Sequence, residues 1–417
     1  MARLGKEMGA AAAALLVAAA FAAPSVEVTN VQQQYPWTNT VDITYTVQGV
    51  NLTHQTNRTD HIVNDTYFVT FEAKNGNDAI KDVNGNSVFT NALVNGNGTF
   101  TAQWQPQTNL QLTGNNITPS VFRGEENAYL VVNLETNKNG RMNWWYEPMS
   151  TQDASNMRYN TDFYKTKRLV LRRVSAGTYT IGAEFMRGRG HADVGGNPPH
   201  QVVVPSGTCY YFSIFPVTEA QYAYVMGTGN FESKLGETSA SWNNVRNSTG
   251  PGASILPDAQ NQTAFFVRLS GLTGLTFDLP TEEMWEIAAR ARSTTVYHWG
   301  DDFGNGIAYA WCDNEGKQVV GLKLPNNWGI YETAGMFWEW CLDVRNSLLD
   351  LSNKTTDIYT PNLDAGGERA DGRRHRGGSY SNGRGVMQSP SYRAGYYSAN
   401  YIGPRFGFRA TTIMRNN

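Results

Sequence analysis

Cysteine is scarce in this sequence, and neither sign of charge is in excess. Its three cysteines, Cys209, Cys312 and Cys341, form an odd and widely spaced set, which argues against a disulfide framework and against a CxxC metal site. If one disulfide forms, we expect Cys312 to pair with Cys341; free buried thiols are the alternative. The 34 Lys and Arg nearly balance 36 Asp and Glu, for a net charge of −2, so the composition predicts no nucleic-acid partner.

Metal-binding histidine patterns and long hydrophobic runs are also lacking. The six histidines show no HExxH or similar ligand spacing, so each is expected to be a surface or hydrogen-bonded residue. One apolar run, residues 10–21, follows Arg3 and Lys6 and ends in a small-x-small site, which predicts a signal peptide over residues 1–22. The run is shorter than the roughly 20 residues of a transmembrane helix. We therefore expect a secreted, periplasmic or cell-surface protein without a membrane span after cleavage; a membrane anchor is the alternative.

Glycine and aromatic residues are abundant, with 41 Gly, 21 Tyr and 11 Trp. Over residues 24–148, short alternating runs from "VDITYTV" to "NAYLVVNLE" and "RMNWWYEP" are separated by Asn-Gly turns. This spacing predicts an all-β, immunoglobulin-like sandwich. The polar residues 149–167 that follow are typical of a linker.

A second block begins with a predicted strand, "RLVLRRVSAGTYTIGAE". One helix is expected after Thr218, which forms a capping box with Gln221, and another after Thr281, with Met284, Ile287, Ala288 and Ala291 as its buried stripe. Long loops rich in Trp, Gly and Asn follow residue 292. The pattern predicts an α+β domain whose core depends on aromatic residues.

Several motifs of this second block occur in the order of a known family. They are "GTYTIGAE", "FPVTEAQYAYVMG", "LPTEEMWEIAARA", "YHWGDD", "NNWGIYETAGMFWEWCLD", "RGGSY" and "FGFR". Residues 168–412 thereby resemble the formylglycine-generating enzyme family, also called the sulfatase-modifying factor family. The resemblance implies a variant C-type-lectin-like fold with two helices, small twisted sheets and much ordered loop.

The oxidase chemistry of that family depends on residues that this sequence lacks. The resemblance implies two copper-binding cysteines shortly after the Gly377–Ser379 motif, at positions that fall near Asn382 and Met387 here, and no cysteine follows Cys341. Because a carboxamide and a thioether cannot replace a pair of thiolates, bound copper is not expected. Ser379 is retained, but without a neighbouring base we expect it to be structural.

Calcium is a further cofactor that the resemblance implies. Family members hold it near a loop that reads Gly335–Trp340 here, where Met336 replaces the usual Asn. Glu339 is the one candidate ligand that remains, and a hard cation needs six or more oxygens. Calcium thus stays possible, with a structural ion pair of Glu339 as the alternative.

The C-terminal segment is the expected ligand-binding part of the chain. Tyr, Ser, Gly, Asn and Arg fill it, as they do antibody paratopes, where Tyr gives large contact area at low entropic cost. The candidate ligand-binding residues are Tyr380, Ser381, Asn382, Arg384, Tyr392, Arg393, Tyr396, Tyr397, Asn400 and Tyr401. Packing of these tyrosines beneath their own loop, and pairing of these arginines with carboxylates, is the alternative for each residue alone.

The sequence thus predicts an exported two-domain protein that binds or displays a protein, peptide or glycan ligand without oxidase chemistry. Three alternatives remain open. One is a formylglycine-generating oxidase that acts on a sulfatase cysteine. Another is a retroelement-diversified variable protein, because the segment resembles the variable proteins of diversity-generating retroelements. That resemblance implies sites diversified by adenine mutagenesis, whose products Ser381, Asn382, Gly383, Ser398 and the nearby Tyr and Asn residues fit. The last is a cell-surface structural protein.

Overall fold

The computed structural model describes most of the chain from residue 25 onward, with gaps. The described residues are 25–33, 40–48, 67–75, 78–79, 88–94, 98–103, 113, 115, 117–123, 128–137, 139–149, 159–183, 195–196, 199–246, 263–345, 358–361, 371–385 and 388–415. The predicted signal peptide and Met387 lie outside these residues. No helix in the described part of the chain is long and apolar enough to span a membrane.

The chain divides into two units, of which the first contains nearly all of strands β1 to β7. These strands are Ser25–Gln33, Thr40–Gln48, Tyr67–Asn75, Asp78–Ala79, Val88–Val94, Gly98–Gln103 and Ile117–Arg123. They form one sheet of order β1-β2-β6 and another in which β3 pairs with β4, β5 and β7. Tyr45 of β2 packs on Phe71 of β3 with ring centroids 5.3 Å apart. These strands are the main described elements of this unit, while the all-β, immunoglobulin-like sandwich stays a prediction.

The second unit begins earlier than the sequence boundary at residue 148. Strands β8 (Ala128–Asn133) and β9 (Trp144–Pro148) pair with each other, and β8 pairs antiparallel with β10 (Arg168–Ile181). The prediction that they close the N-terminal sandwich was therefore wrong. An alternating strand pattern shows which face is buried, but it does not show which sheet supplies the neighbour.

The predicted linker also forms part of this unit. Helix α1 (Asp162–Thr166) lies within residues 149–167, and its Lys165 and Thr166 are buried. Thr218 donates its hydroxyl to the Lys165 carbonyl at 2.7 Å. A segment that buries side chains and accepts tertiary hydrogen bonds is not a linker, so that prediction was wrong for residues 159–167. Residues 150–158 lie outside the described residues.

One antiparallel sheet of six strands organises the second unit. Its remaining strands are β12 (His200–Ser213), β13 (Phe277–Asp278) and β18 (Thr411–Arg415), in the order β13-β18-β12-β10-β8-β9. The C-terminal strand β18 thus lies between β12 and β13. This position anchors the residues that follow the candidate ligand-binding segment to the main sheet.

Two smaller sheets carry that segment. One has the order β15-β14-β17, formed by Arg373–Arg376, Trp338–Val344 and Phe406–Gly407. The other pairs β11 (Gly195–Gly196) with β16 (Tyr392–Arg393). The backbone N–H of Arg373 also donates to the Tyr397 carbonyl at 2.9 Å. The irregular loops between these short strands are therefore fixed at several points.

Among the residues that the structure describes, four further helices pack around the sheets. They are α2 (Glu219–Met226), α3 (Trp242–Arg246), α4 (Phe265–Thr273) and α5 (Glu282–Arg290), with a short 3-10 helix at Phe303–Ala308. The capping box predicted for α2 is confirmed: Gln221 N–H donates to Thr218 Oγ1 at 3.1 Å, and Thr218 N–H donates to Gln221 Oε1 at 3.0 Å. Thr281 caps α5 as predicted, and the predicted stripe of α5 is buried.

Aromatic residues fill the core, as the sequence predicts. Tyr222 of α2 stacks on Phe265 of α4 with ring centroids 5.3 Å apart, and Phe408 packs edge-on against both. Trp242 of α3 is buried and donates its indole N–H to the Cys341 carbonyl at 2.8 Å. Trp242 thus buries a large apolar area while its indole N–H keeps a partner.

Candidate ligand-binding site

The motif at Gly377–Ser379 ends in a tight turn closed by Asn382. Ser379 donates its backbone N–H and its hydroxyl to Asn382 Oδ1, at 2.8 and 2.9 Å. Asn382 N–H in turn donates to the Ser379 carbonyl at 3.0 Å. The Asn382 side chain therefore shapes this turn.

This turn is held against the loop around Asp313. The backbone N–H groups of Asp313 and Asn314 donate to the carbonyls of Asn382 and Tyr380, each at 2.8 Å. Arg384 donates from Nε to Asp313 Oδ2 at 2.5 Å, and its side chain remains 54% exposed. Because such an exposed ion pair is worth little in stability, this contact mainly orients Arg384 on the surface.

The three cysteines do not form a thiolate pair near this turn. All are free and buried, so the predicted Cys312–Cys341 disulfide is not formed. Cys209 and Cys341 belong to different hydrophobic clusters, and burial raises the pKa of the Cys341 thiol well above its usual value. Burial, with Asp313 and Glu315, also raises the pKa of Cys312. These residues do not fit the bis-thiolate copper site that the family's oxidases use.

Glu339, the candidate calcium ligand, is part of a buried ion pair. Arg409 Nε donates to both of its carboxylate oxygens at 2.8 and 2.9 Å, and Trp285 Nε1 donates to Oε2 at 2.6 Å. With its oxygens engaged in this way, Glu339 does not fit the role of a calcium ligand. No group of three or more His, Cys, Asp and Glu suited to a metal ion occurs among the described residues.

Two of the predicted ligand-binding residues are structural. Tyr392 in β16 is only 9% exposed, and its ring packs near Trp338 with centroids 6.0 Å apart. Arg393 is also buried and donates from Nε to Glu282 Oε1 at 2.9 Å. Their assignment to the binding surface was wrong. A strand of two residues is too short to show the alternation of buried and exposed side chains by which a strand is recognised in a sequence.

The partner of Arg393 lies at the centre of a buried charge network. Glu282 also pairs with Arg374 and Arg376, and Arg376 bridges to Glu286 at 3.2 Å. Burial alone would raise the pKa of Glu282, but the three arginine charges outweigh it and hold the pKa below its usual range. The network ties α5 to β15 and β16, and so fixes the base of the C-terminal loops.

The remaining predicted residues reach the surface. Tyr396 is 41% exposed, and the guanidinium of Arg345 lies 5.6 Å from its ring centroid. Tyr397 and Tyr401 are partly buried, with ring centroids 4.1 Å apart, and both pack on Phe406. The surface residues Tyr380, Ser381, Asn382, Arg384, Tyr396, Tyr397, Asn400 and Tyr401, together with Ile402 and Arg405, are called the C-terminal face below.

Arg405 is a member of this face that was not among the predicted ligand-binding residues. Its Nη1 donates to Ser381 Oγ at 3.0 Å, which links the turn at Ser379 to the loop that carries Tyr401. The sequence does show Arg405 as one of the arginines in this segment. It does not show which of these arginines pair with a carboxylate, because the fold determines that pairing.

A further buried carboxylate was not foreseen. Glu332 accepts the Gly321 N–H at 2.7 Å with Oε1, while its Oε2 has no hydrogen-bond partner among the described residues. Burial raises the pKa of Glu332 to about 7, against the lowering effects of Arg409 and Lys165. This carboxyl group therefore titrates near neutral pH.

Comparison with curated proteins finds partial matches. A formylglycine-generating enzyme of Streptomyces coelicolor is 32% identical over 117 residues, which cover 24% of this chain and 35% of that protein. The inactive C-alpha-formylglycine-generating enzyme 2 of Mus musculus is 36% identical over 78 residues, covering 15% and 24%. The chain thus spans about a third or less of the length of these relatives.

Solved structures resemble the chain at low sequence identity. PvdO from Pseudomonas aeruginosa is 18% identical with a TM-score of 0.47, and the match covers 59% of this chain and 95% of that one. Treponema denticola variable protein 1 is 20% identical with a TM-score of 0.42 and the same coverages.

The sequence profile of one domain family matches more than half of the chain. It is the sulfatase-modifying factor enzyme 1-like domain, which matches residues 165–413. This range agrees with the expectation of residues 168–412 and includes the turn at Ser379, the charge network and the C-terminal face. The chain therefore belongs to the sulfatase-modifying factor enzyme 1-like domain family.

Proposed function

We propose that this protein is an exported ligand-binding or display protein that uses the C-terminal face and has no formylglycine-generating activity. One observation carries the proposal. Asn382 stands near one of the two positions where the oxidases have cysteine, and its side chain is engaged by Ser379. Because the thiols of the chain are buried elsewhere, the chemistry of copper-thiolate oxidation has no donor set here.

The composition and exposure of the face support recognition. Tyr396, Ile402 and Arg384 are exposed, while the loops that carry them are fixed by hydrogen bonds to β15 and to the loop of Asp313. Aromatic residues and arginine are enriched at protein interfaces. Fixed loops lower the entropy that binding costs.

The name of the mouse relative adds a family precedent, since it describes that protein as inactive. At least one relative of this chain is thus named as a protein without the enzyme activity. Export rests on the pattern of residues 1–22, and a protein or peptide is the ligand class that we favour over a glycan.

A binding screen with matched variants tests the proposal. The purified full chain would be panned against a phage library of random 12-residue peptides and applied in parallel to a glycan array. The double variant Y396A/N400A alters the face, and V203S changes an exposed residue of β12 as the control. The proposal predicts ligands that the wild-type protein and V203S bind and that the double variant binds at least tenfold more weakly. Equal binding by all three proteins, or no ligand in either screen, would contradict it.

A further inference from the structure

We propose that Arg405 is the anchor of the C-terminal face and binds a carboxylate, the side chain of Asp or Glu in a protein partner. This inference rests on the proposed binding function and names the chemistry of its ligand. The argument begins with the arginines of residues 376–409. Four of the five described arginines in that range pair with a carboxylate of the chain: Arg376, Arg384, Arg393 and Arg409.

Arg405 is the exception among these arginines. No carboxylate lies within ion-pair distance of it in the part of the chain that the structure describes, and its one side-chain hydrogen bond is to the neutral hydroxyl of Ser381. A guanidinium has five N–H donors arranged to match a carboxylate. One donor is used, so the charge and most of the hydrogen-bonding capacity of Arg405 remain for a ligand.

The position of Arg405 is fixed before any ligand binds. Its carbonyl accepts the Trp338 N–H of β14 at 2.8 Å, and the next residue begins β17. Ser381, which receives its Nη1, lies 3.1 Å from the hydroxyl of Ser379 inside the closed turn. A charged group held by both backbone and side chain loses little freedom on binding, which favours affinity.

The charges nearby favour a single anionic group. The positive charge of Arg384 is matched by Asp313 at the other end of the turn, which leaves Arg405 as the cation without a matching acid. Recognition of phosphorylated segments relies on clusters of arginines, whereas one guanidinium suits one carboxylate. We therefore favour an acidic side chain over a phosphate group.

The apolar surroundings favour a protein over a glycan. Ile402 is 54% exposed and lies three residues before Arg405 in the chain, and the neighbouring, partly buried Tyr401 packs on the core residue Phe406. Arginine and tyrosine are enriched in protein interfaces. A partner that covers these side chains would exclude water and strengthen the charged hydrogen bonds.

The peptides from the phage screen test this inference directly. We expect those selected by the wild-type protein to share Asp or Glu at one position. Changing that residue to its amide is expected to weaken binding about tenfold or more, the effect of losing a charged hydrogen bond. R405Q is expected to bind the acidic and amide peptides equally, and R405K to keep part of the difference. R292Q, which alters an exposed arginine packed on Tyr179, is the control and should behave as wild type.

The outcomes separate the inference from the proposed function. Selected peptides without an acidic preference, or acidic and amide peptides with equal affinity, would overturn the inference and leave the binding function intact. A wild-type screen that enriches no peptide, or binds glycans alone, would overturn both the peptide form of the function and the inference. The amide peptides test the need for a carboxylate with the wild-type protein alone, and R405K, which keeps the positive charge, tests the role of Arg405 if R405Q does not fold. An acidic preference that both Arg405 variants keep in full would overturn the inference.

Discussion

Ser379 donates both its backbone N–H and its hydroxyl to the side chain of Asn382. In the resemblance to the formylglycine-generating enzymes, Asn382 falls near a position that an oxidase gives to a copper-binding cysteine. This position therefore stabilises a turn in this chain, whereas in the oxidases it would supply a metal ligand. The turn positions Ser381, which accepts a hydrogen bond from Arg405. The hydrogen bonds of the turn therefore help to position the C-terminal face.

Replacing Asn382 should weaken both the turn and the face. N382A leaves the Ser379 N–H and hydroxyl without their acceptor, and we expect a loss of about 1–3 kcal/mol in the free energy of unfolding. N382D keeps an acceptor oxygen and should lose less. Urea unfolding of the full chain, followed by tryptophan fluorescence, measures the difference. Equal stability of N382A and wild type would show that the turn does not depend on this side chain.

Glu282 should be indispensable to the second unit. E282Q removes the buried carboxylate that Arg374, Arg376 and Arg393 share, and loss of one partner of a buried pair typically costs about 3–5 kcal/mol. D162N is the control, because Asp162 pairs with Lys234 at the surface and should change stability little. Thermal unfolding of the three proteins checks the prediction. A similar melting temperature for E282Q and D162N would mean that the network contributes no stability.

The two tyrosines at 392 and 396 should behave differently although both were predicted to bind ligand. Y392A removes a buried ring and is expected to cost about 3 kcal/mol of stability. Y396A removes an exposed ring and should leave stability almost unchanged while it weakens binding of selected peptides. Unfolding and peptide titration on both variants separate the roles. The account fails here if Y396A unfolds as readily as Y392A.

Glu332 should make stability fall as the pH rises towards neutrality. Burial raises its folded-state pKa from 4.5 to about 7, so between these values the folded protein holds a proton that the unfolded chain has released. The contribution of protonated Glu332 to the free energy of unfolding is fully present below pH 4.5 and is lost as the pH rises through about 7.

The carboxamide variant E332Q isolates this effect. The charges that act on Glu332 are those of Arg409, Lys165 and Glu339, and all of them remain in the variant. We expect the difference in stability between E332Q and wild type to change by about 3 kcal/mol between pH 4.5 and pH 8, in favour of E332Q at the higher pH. Urea unfolding across this range measures it. A constant difference would contradict the raised pKa.

The features that depend on local sequence could be predicted. Thr218 with Gln221 and Thr281 with its apolar stripe specify two helices through contacts three or four residues apart. Helix α4 was missed because its nine residues are short for a periodic pattern and include Gly271.

The features that depend on distant partners could not be predicted. Glu282 contacts Arg376 and Arg393 across 94 and 111 residues of sequence, and no spacing rule connects them. The same reason explains why Arg393 was assigned to the binding surface and Arg405 was not. Composition led to the prediction that the segment binds a ligand, whereas the pairing of each arginine decides which of them is available to do so.

Mass spectrometry of a sulfatase-type peptide tests the central claim most directly. The purified full chain would be incubated with a CxPxR peptide, copper and oxygen, with a formylglycine-generating enzyme as the positive control. The account predicts that the peptide keeps its cysteine thiol while the control enzyme converts it. Conversion of the cysteine to the aldehyde by this chain would contradict the account, because it would require catalytic groups other than the absent thiolate pair.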